Sequence, residues 1–524
     1  MTKRILITEE IADSGLNRLR HSGFEVDVQL GVSGQEFHSA LAGAHGLIVR
    51  SATQVDVAAL DAGRDLVVVG RAGVGLDNID VEAATARGVM VVNAPESNVI
   101  SAAEHTIGLM LAMARNIPQA HGALKLGRWE RSRWTGIELA GKTLGIIGLG
   151  RIGKLVSQRA LAFDMRLIGY DPFISEERAR RLNVEMMPLD RVVAESDILT
   201  VHLPKNRETT GIINYDVLRT AKPTLRVINV ARGGIIDETG LVTALRDGLI
   251  AGAAIDVFST EPMTSSPLFE LDNVVVTPHL GASTREAQDK AGEVVANMVQ
   301  LALDGEFVPF AVNIAASETN STLKPFVPLA ERLGRVFASF VDGIPADFEV
   351  ITSGEIGAYD SRIVTLSALK GLLSVLSTEN VSLVNVHLVA KNLGIKIHEV
   401  TTPSTTHHNY VNLITLRAGS RNMSATLAGR HREARIVTVD DHITDIPPSE
   451  HMLVVTNDDR PGVIGRVATI LGNANINISN MDVGKTERQG SAIMLIATSS
   501  HVPDELVIQL RGLPGIVSVA TIRG

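Results

Sequence analysis

Short apolar runs rich in valine, isoleucine and leucine recur along the first 280 residues, separated by helix-length segments of mixed polarity. Such runs are typical of strands that are buried on both faces of a parallel sheet. They form two series, at 4–8, 25–29, 46–50, 66–71 and 90–94, and then at 143–148, 166–171, 198–202, 226–229, 253–256 and 274–277. Helices are predicted at about 98–126 and at about 283–304. The pattern predicts an α/β protein with two doubly wound parallel-sheet domains, the first made discontinuous by the returning last helix.

Beyond residue 313 the pattern changes. We interpret 317–322 as a polar linker between domains and 446–449 as a second domain boundary. Between them, helices at 361–377 and 380–393 precede strands at 395–401, 410–417 and 434–439, which predicts an α+β domain. The last segment has the βαββαβ order of a ferredoxin-like domain. The predicted domains are therefore 1–97 with 283–313, then 98–282, 318–446 and 451–524.

Composition narrows the possible classes of function. Of the 524 residues 45% are hydrophobic and 3% aromatic, and the formal net charge is −9. Few aromatic rings and an acidic balance argue against nucleic-acid binding. The lack of cysteine excludes disulfides, thiolate nucleophiles and cysteine-based zinc sites, and it fits a reducing compartment. No apolar stretch approaches the ~18 residues of a membrane span, so we expect a cytoplasmic protein with no membrane partner and no metal site.

A glycine-rich turn follows the first strand of the second series. Gly148, Gly150 and Gly153 lie where this strand enters a helix. Glycines at this spacing permit a tight turn, a close approach to a pyrophosphate and close packing of helix on strand. Asp171 ends the next strand, where a carboxylate can accept the ribose hydroxyls of NAD and repel the 2′-phosphate of NADP, although it could also simply begin the turn with Pro172. The spacing predicts a dinucleotide site that prefers NAD.

Three residues with acid–base or anion-binding chemistry follow later strands of this series. Hydride transfer from a hydroxyl carbon requires a base, a partner that sets the pKa of the base, and a cation for the substrate carboxylate. His279, Glu261 and Arg232 can supply these roles at the edge where α/β sheets place their active sites. Taken singly, Arg232 could instead form a surface ion pair, Glu261 could be a solvated loop acid, and His279 could start a helix.

Four segments, 148–153, 229–234, 260–262 and 277–282, resemble the D-isomer-specific 2-hydroxyacid dehydrogenases. The resemblance covers about residues 1–313 and includes the family's catalytic order of Arg, Glu and His. It implies that His279 is the general acid/base, Glu261 its partner and Arg232 the carboxylate anchor. The resemblance also implies NAD contacts from Val74, Gly148, Gly150, Arg151, Ile152, Gly153, Asp171, Leu203, Val230, Ala231, Arg232, Asp256, His279, Leu280, Gly281 and Ala282.

The C-terminal architecture resembles the long-form D-3-phosphoglycerate dehydrogenases of this family. This implies a discontinuous substrate-binding domain (1–97 and 283–313), a Rossmann NAD-binding domain (98–282), an intervening additional substrate-binding domain (318–446) and an ACT regulatory domain (451–524). The expected reaction is the NAD-dependent oxidation of D-3-phosphoglycerate to 3-phosphohydroxypyruvate in phosphorylated serine biosynthesis. We also expect a homo-oligomer, with a tetramer favoured.

Phosphoglycerate is an anion at both ends, so it needs more than one cation. The resemblance places Arg50 and Asn98 in the substrate site and suggests that Arg131 reaches it from a neighbouring subunit. From the residues alone, Arg50 could simply end a strand and Asn98 could cap a helix. Arg128 and Arg133 are alternatives to Arg131.

The turn at 457–462 is a candidate amino-acid site in the last domain. Asp459 could pair with an ammonium group, a helix N-terminus could hold a carboxylate, and Asn457 and Asn477 could add contacts. In this family the natural ligand is the end product, so L-serine is the expected effector, although a structural dimer interface would also explain the turn. A second anion could be held in the intervening domain by basic side chains among which the sequence does not choose, Arg417, Arg421, Arg430, His431 and Arg432.

Two other functions are compatible with some of these residues. One is another D-2-hydroxyacid dehydrogenase, acting on glyoxylate or lactate, but a small unphosphorylated acid needs neither Arg50 nor sensing domains. The other is an NADH-sensing binding protein, which needs no acid–base pair.

Overall fold

The structure is a computed structural model that describes residues 2–314, 322–341, 343–405, 410–440, 442–485 and 492–523. The predicted linker lies outside the described residues except for its last position, as do the domain bounds 1, 318 and 524. Within the described ranges, no helix combines the length and apolar character needed to cross a bilayer.

The first domain alternates strands and helices. Its elements are β1 (Arg4–Ile7), α1 (Asp13–His21), β2 (Glu25–Val28), α2 (Gly34–Leu41), β3 (Gly46–Val49), α3 (Val57–Ala62), β4 (Val68–Arg71), α4 (Val81–Ala86) and β5 (Met90–Asn93). The strands form a parallel sheet in the order β2-β1-β3-β4-β5. Ile5, Leu6 and Ile7 are completely buried because both faces of the sheet are covered.

The second domain contains a larger parallel sheet. Its elements are α5 (Val99–Ala114), α6 (Ile117–Lys125), β6 (Thr143–Ile147), α7 (Arg151–Leu161), β7 (Arg166–Tyr170), α8 (Glu176–Arg180), β8 (Glu185–Met186), α9 (Leu189–Glu195), β9 (Ile198–Val201), α10 (Tyr215–Leu218), β10 (Arg226–Asn229), α11 (Glu238–Arg246), β11 (Gly252–Ile255) and β12 (Val274–Val276). The strand order is β12-β11-β10-β9-β6-β7-β8. Because the order reverses between β6 and β9, ligands are expected at the carboxyl ends of these strands.

The single helix predicted at 98–126 is wrong, since the structure has two helices there. Asn116 between them has a φ of 51°, and Pro118 stands in the first turn of α6. A left-handed residue ends one helix, and proline is favoured at the start of the next. The short edge strand β8 was also not predicted.

After β12 the chain returns to the first domain as α12 (Arg285–Asp304). Its Val295 and Val299 pack in the apolar cluster that contains Ile5 and Ile7. A Cβ on Gly15 would lie 2.7 Å from the Gly292 carbonyl oxygen, so glycine allows α1 and α12 to approach closely. The first domain is therefore built from two separate parts of the chain.

The remaining elements form one mixed sheet with helices against it. They are α13 (Phe326–Ala338), β13 (Asp347–Gly354), α14 (Arg362–Leu376), α15 (Val386–Asn392), β14 (Lys396–Thr402), β15 (Asn412–Ala418), β16 (Arg421–Ala428), β17 (Glu433–Val439), β18 (His442–Ile446), β19 (His451–Asn457), α16 (Val463–Asn473), β20 (Ile478–Lys485), β21 (Ala492–Thr498), α17 (Asp504–Arg511) and β22 (Ile516–Arg523). The last six have the predicted βαββαβ order, and the overall α/β fold class is confirmed.

The break at 446–449 does not separate two sheets. The ten strands run in the order β14-β13-β15-β16-β17-β18-β20-β21-β19-β22, and β18 pairs with β20 at Ile443 and Lys485. Met452 and Leu495 also share an apolar cluster with Phe337.

The predicted helix at 380–393 starts only at Val386. The Asn385 side chain bonds the backbone ahead of the helix, since it accepts from the Ser382 N–H at 2.8 Å. The elements α13, β13, β16 and β18 were not predicted.

Candidate active site

The loops after β10, β11 and β12 carry the three predicted catalytic residues. These strands are parallel neighbours, so their loops open at the same edge of the sheet. Arg232 follows β10, Glu261 lies in the loop after β11, and His279 follows β12. The fold thus gathers at one edge side chains that are far apart in the chain.

His279 and Glu261 are in direct contact. Nδ1 of His279 lies 2.6 Å from Oε2 of Glu261, whose other oxygen accepts a hydrogen bond from the Phe258 N–H at 2.9 Å. Burial alone would raise the pKa of Glu261, but the hydrogen bonds from His279 and Phe258 outweigh it and hold this pKa below its ordinary value. An ionised Glu261 keeps the proton on Nδ1, so Nε2 is the ring nitrogen left to exchange a proton with a substrate.

Arg232 extends from the second domain toward the first. Its Nε lies 3.3 Å from Oδ2 of Asp77, and its Nη1 donates to the Ala231 carbonyl at 2.7 Å. Asn229 braces this turn, since its side chain accepts from the Ala231 N–H at 3.0 Å and donates to the Arg232 carbonyl at 2.9 Å. Arg232 is 28% exposed. It therefore lies in the cleft between the domains, where its guanidinium can meet an anion.

Arg71, at the end of β4, is a cleft residue that the sequence alone did not single out. Its Nε is buried and has no hydrogen-bond partner among the described residues. Burial, followed by repulsion from Arg232, lowers the pKa of Arg71 to about 10. Attraction from Asp77 and Glu9 opposes this shift, and Arg50 adds a smaller repulsion. A group of three neighbouring cations, Arg50, Arg71 and Arg232, indicates a site for an anion.

The turn that carries Arg50 is fixed by Glu9. The Glu9 carboxylate accepts hydrogen bonds from the N–H groups of Arg50, Ala52 and Thr53 at 2.8, 3.2 and 3.0 Å. A cavity of about 130 Å³ opens beside Arg50. The structure therefore offers both a positioned arginine and space next to it.

Asn98 and Arg131, the other predicted substrate residues, lie in different surroundings. Asn98 occupies the N-cap position of α5, but its side chain makes no capping hydrogen bond, so a capping role does not explain it. Arg131 forms no ion pair within the part of the chain that the structure describes, whereas Arg133 pairs with Asp272 at 2.7 Å. Of these two arginines, Arg131 is the one left for a ligand.

The glycine turn fits a dinucleotide phosphate. Gly148 has a φ of 92°, and a Cβ there would lie 2.5 Å from the His202 carbonyl oxygen. By contrast, nothing lies within 4 Å of a Cβ built on Gly150. α7 begins at Arg151 without a side-chain cap, so its first N–H groups are free to meet an anion in this open space.

Asp171 links the end of β7 to the glycine turn. Its Oδ2 accepts from the Leu149 N–H at 2.8 Å, and its Oδ1 accepts from the Phe173 N–H at 2.9 Å. The residue therefore does shape the turn that follows it. Each carboxylate oxygen still has a lone pair for a ribose hydroxyl, and that contact stays a prediction.

Several other residues expected at NAD have partners of their own. Arg151 lies 3.3 Å from Glu96, and the Val74 carbonyl accepts from the Asn93 side chain at 2.7 Å. Asp256 is completely buried, so in this structure it holds the loop of His279 and does not face the cleft.

Comparison with known proteins decides the family. Residues 107–281 match the NAD binding domain of the D-isomer specific 2-hydroxyacid dehydrogenases, 322–440 the D-3-phosphoglycerate dehydrogenase intervening domain, and 451–515 the ACT domain. The chain is 42% identical to the D-3-phosphoglycerate dehydrogenases of Mycobacterium leprae, over 96% of each chain, and of Methanocaldococcus jannaschii, over 99% of each. A solved protein structure from Thermus thermophilus matches with a TM-score of 0.55 and 33% identity, over 59% of this chain and 99% of that one. The chain belongs to the D-3-phosphoglycerate dehydrogenase family.

Membership of this family confirms three predictions. The resemblance of the C-terminal half is confirmed by the intervening and ACT matches. The second domain is an NAD binding domain, and the chain is an NAD-dependent oxidoreductase. The roles predicted for individual residues are not decided by these comparisons.

In the ACT domain, the turn at 457–462 differs from the expectation because Asn457 is buried. Asn457 is only 2% exposed, and its amide is oriented to donate to the Ala492 carbonyl at 3.1 Å and to accept from the Asp459 N–H at 3.2 Å. Asn457 therefore shapes the turn and does not face a ligand here. Asp459, with a φ of 45°, and Asn477 remain exposed.

The basic residues of the intervening domain are divided into two groups. Arg417 lies 3.3 Å from Glu349, and Arg421 lies 2.7 Å from Asp440. Arg430, His431 and Arg432 are exposed between β16 and β17. The first two already have acidic partners, so the exposed group is the better candidate for an anion.

Proposed function

We propose that this member of the family oxidises D-3-phosphoglycerate to 3-phosphohydroxypyruvate with NAD⁺, the first step of phosphorylated serine biosynthesis. The observation that carries the proposal is the contact of His279 with Glu261 in a cleft that also holds Arg50, Arg71 and Arg232. The first pair supplies acid–base chemistry, and the arginines can bind a substrate with an anion at each end. The names of the relatives in Mycobacterium leprae and Methanocaldococcus jannaschii support the same substrate.

Each residue has a defined task in this reaction. Arg232 binds the substrate carboxylate, and Arg50 and Arg71 bind the phosphate, with Asn98 and a neighbouring subunit's Arg131 as further contacts. Nε2 of His279 removes the hydroxyl proton at C2 while Glu261 stabilises the resulting imidazolium. NAD⁺, when bound, accepts the hydride that leaves C2. The products are the ketone, NADH and a proton held at first by His279.

We also propose which residues hold NAD and select it over NADP. The open space at Gly150 and the uncapped start of α7 suit a pyrophosphate, and the carboxylate of Asp171 suits the adenosine ribose. A 2′-phosphate would meet Asp171 as a like charge. The remaining predicted contacts of the cofactor, apart from the buried Asp256, belong to this proposal as well.

Two alternatives are disfavoured by particular side chains. A dehydrogenase for glyoxylate or lactate would have one carboxylate to bind, which leaves Arg50 and Arg71 without a ligand. A protein that only senses NADH would not need the contact between His279 and Glu261.

Product formation tests the proposal. Purified full-length chain is supplied with D-3-phosphoglycerate and NAD⁺, and the ketone is trapped with hydrazine so that the reaction runs to completion. We expect one NADH for each 3-phosphohydroxypyruvate formed. Binding of NADH without turnover of any 2-hydroxyacid would favour the sensing protein, and turnover of D-lactate alone would favour the other dehydrogenase.

We further propose that L-serine is the effector and that the enzyme acts as a homotetramer in the cytoplasm. The ACT match and the exposed Asp459 beside the start of α16 support an amino-acid site. Arg131 is exposed and forms no ion pair within the described residues, which supports a site completed by a neighbouring subunit. The lack of cysteine fits a reducing compartment.

A further inference from the structure

His105, on α5, lies against the segment that carries His279. Its Nε2 is 3.1 Å from Oγ1 of Thr277 and 3.2 Å from Oδ1 of Asp256. The Thr277 hydroxyl donates to the same carboxylate oxygen at 2.5 Å, so toward His105 it can only accept. Because both neighbours of Nε2 are acceptors, this nitrogen carries a hydrogen and donates it.

α5 contacts the segment 277–284 at more than one point. Ser101, one helical turn before His105, lies with its Oγ 2.7 Å from Oγ1 of Thr284, the N-cap residue of α12. The helix therefore contacts the segment 277–284 on both sides of His279. His105 occupies the end of this contact that faces the buried carboxylate of Asp256.

Asp256 holds three consecutive N–H groups of the loop that contains His279. Its main-chain carbonyl accepts from His279 at 2.8 Å, its Oδ1 from Leu280 at 2.7 Å and its Oδ2 from Gly281 at 2.9 Å. His279 has a φ of 55°, a backbone conformation that residues other than glycine adopt rarely. Such a conformation persists where surrounding contacts impose it. Here Asp256 imposes it.

The role of Asp256 depends on its remaining ionised, since only the carboxylate accepts at both oxygens. Its side chain is completely buried, and burial works against the charged form. Burial alone would raise the pKa of Asp256, but hydrogen bonds from His105, Thr277 and the Leu280 N–H bring it below its ordinary value. His105 is thus one of the donors that keep the carboxylate charged.

We propose that His105 is a positioning residue for the reaction, acting through Asp256 on the backbone of His279. The proposal rests on the proposed function, in which His279 is the acid/base. Loss of the His105 donor would loosen the hold of Asp256 on residues 279–281. His279 would then spend less time in the geometry that suits proton transfer, while the substrate and cofactor contacts made by other loops would remain.

Three variants of the full-length enzyme test this role. His105→Leu removes the donor, and His105→Gln keeps an N–H group near the position of Nε2. Thr106→Val is the matched control, because Thr106 is a buried neighbour on α5 whose hydroxyl, among the described residues, bonds only to the Ala102 carbonyl of its own helix. For His105→Leu we expect kcat to fall roughly 10-fold, less than the ~10²-fold that a misplaced catalytic group can cost. The KM for D-3-phosphoglycerate should stay within about twofold, because Arg50, Arg71 and Arg232, which bind the substrate, lie outside residues 279–281.

Hydrogen exchange gives a second readout that does not depend on turnover. Amides in peptides covering 277–284 should exchange faster in His105→Leu than in wild type, and His105→Gln should restore both protection and kcat. Unchanged kcat and unchanged exchange in His105→Leu would overturn the proposal, as would equal losses in the Leu and Gln variants. If wild type fails to oxidise phosphoglycerate, the proposed function is wrong, and the exchange data alone decide whether His105 positions the loop.

Discussion

Replacing Arg71 with methionine should weaken substrate binding without lowering the stability of the substrate-free enzyme. The pKa of Arg71 is lowered to about 10, mainly through burial and then through repulsion from Arg232. At ~1.36 kcal/mol per pKa unit, this shift corresponds to on the order of 3 kcal/mol of disfavoured charge in the substrate-free fold. Since the folded pKa of this base lies below the unfolded value, the penalty is fully present below pH about 10 and disappears only above it.

Arg71→Met keeps the apolar stem and removes the charge. At pH 7.5 we therefore expect an apparent melting temperature equal to or above that of wild type for the substrate-free enzyme. The phosphate loses a charge-assisted contact that is typically worth about 1.5–3 kcal/mol, so the KM for D-3-phosphoglycerate should rise roughly 10- to 100-fold. Arg71→Lys, which keeps the charge, should show a smaller rise.

Thermal unfolding with and without D-3-phosphoglycerate, together with initial rates, measures both effects. Substrate should stabilise the wild type more than the methionine variant, because ligand binding to the folded state adds to stability. A KM for phosphoglycerate that stays unchanged in Arg71→Met would refute the assignment of this arginine to the phosphate. A marked fall in melting temperature would refute the argument that its charge is disfavoured.

Three further substitutions test the remaining assignments. His279→Ala should lose about 10²–10⁴ in kcat, the usual span of general acid–base catalysis, while NADH titration shows retained binding. Asp171→Ala should narrow the preference for NAD⁺ over NADP⁺ in kcat/KM, chiefly by weakening NAD⁺, because the carboxylate no longer accepts from the ribose. Asp459→Ala should abolish calorimetric binding of L-serine while uninhibited turnover is unchanged, with Asp504→Ala in the same domain as control.

A specific result would contradict each of these expectations. Normal turnover in the His279 variant would remove that residue from the acid–base role. Wild type that uses NADP⁺ as efficiently as NAD⁺ would remove Asp171 from cofactor selection. Wild type that binds no serine at millimolar concentration would end the proposal of a serine effector, and the catalytic assignments would be unaffected.

Features set by short-range pattern were predictable from the sequence. The strands of the two parallel sheets are visible as apolar runs, since both faces of each strand are buried. His279 and Glu261 follow neighbouring strands, so their meeting at one edge follows from the strand order. The break at Asn116 also had a signal, because Pro118 favours the start of a helix over its interior.

Features set by tertiary contacts were not predictable in this way. Arg71 ends a buried strand as many arginines do, and only the pairing of β3 with β4, which sets Val49 opposite Arg71, brings it beside Arg50. Asn457 is polar and ends β19 just before a turn, which suggested exposure, yet its amide forms hydrogen bonds with the backbone around it. The pairing of β18 with β20 likewise joins two domains across a segment that resembles a linker.

The most direct test of the central claim is the ratio of kcat/KM for D-3-phosphoglycerate to that for D-glycerate, measured with NAD⁺ on the full-length wild-type chain. The two substrates share the carboxylate and the C2 hydroxyl and differ in the phosphate. With Arg50 and Arg71 each contributing a charge-assisted contact of about 1.5–3 kcal/mol, the ratio should be at least ~10². A ratio near one would contradict the account, because it would mean that the arginine cluster does not recognise the phosphate.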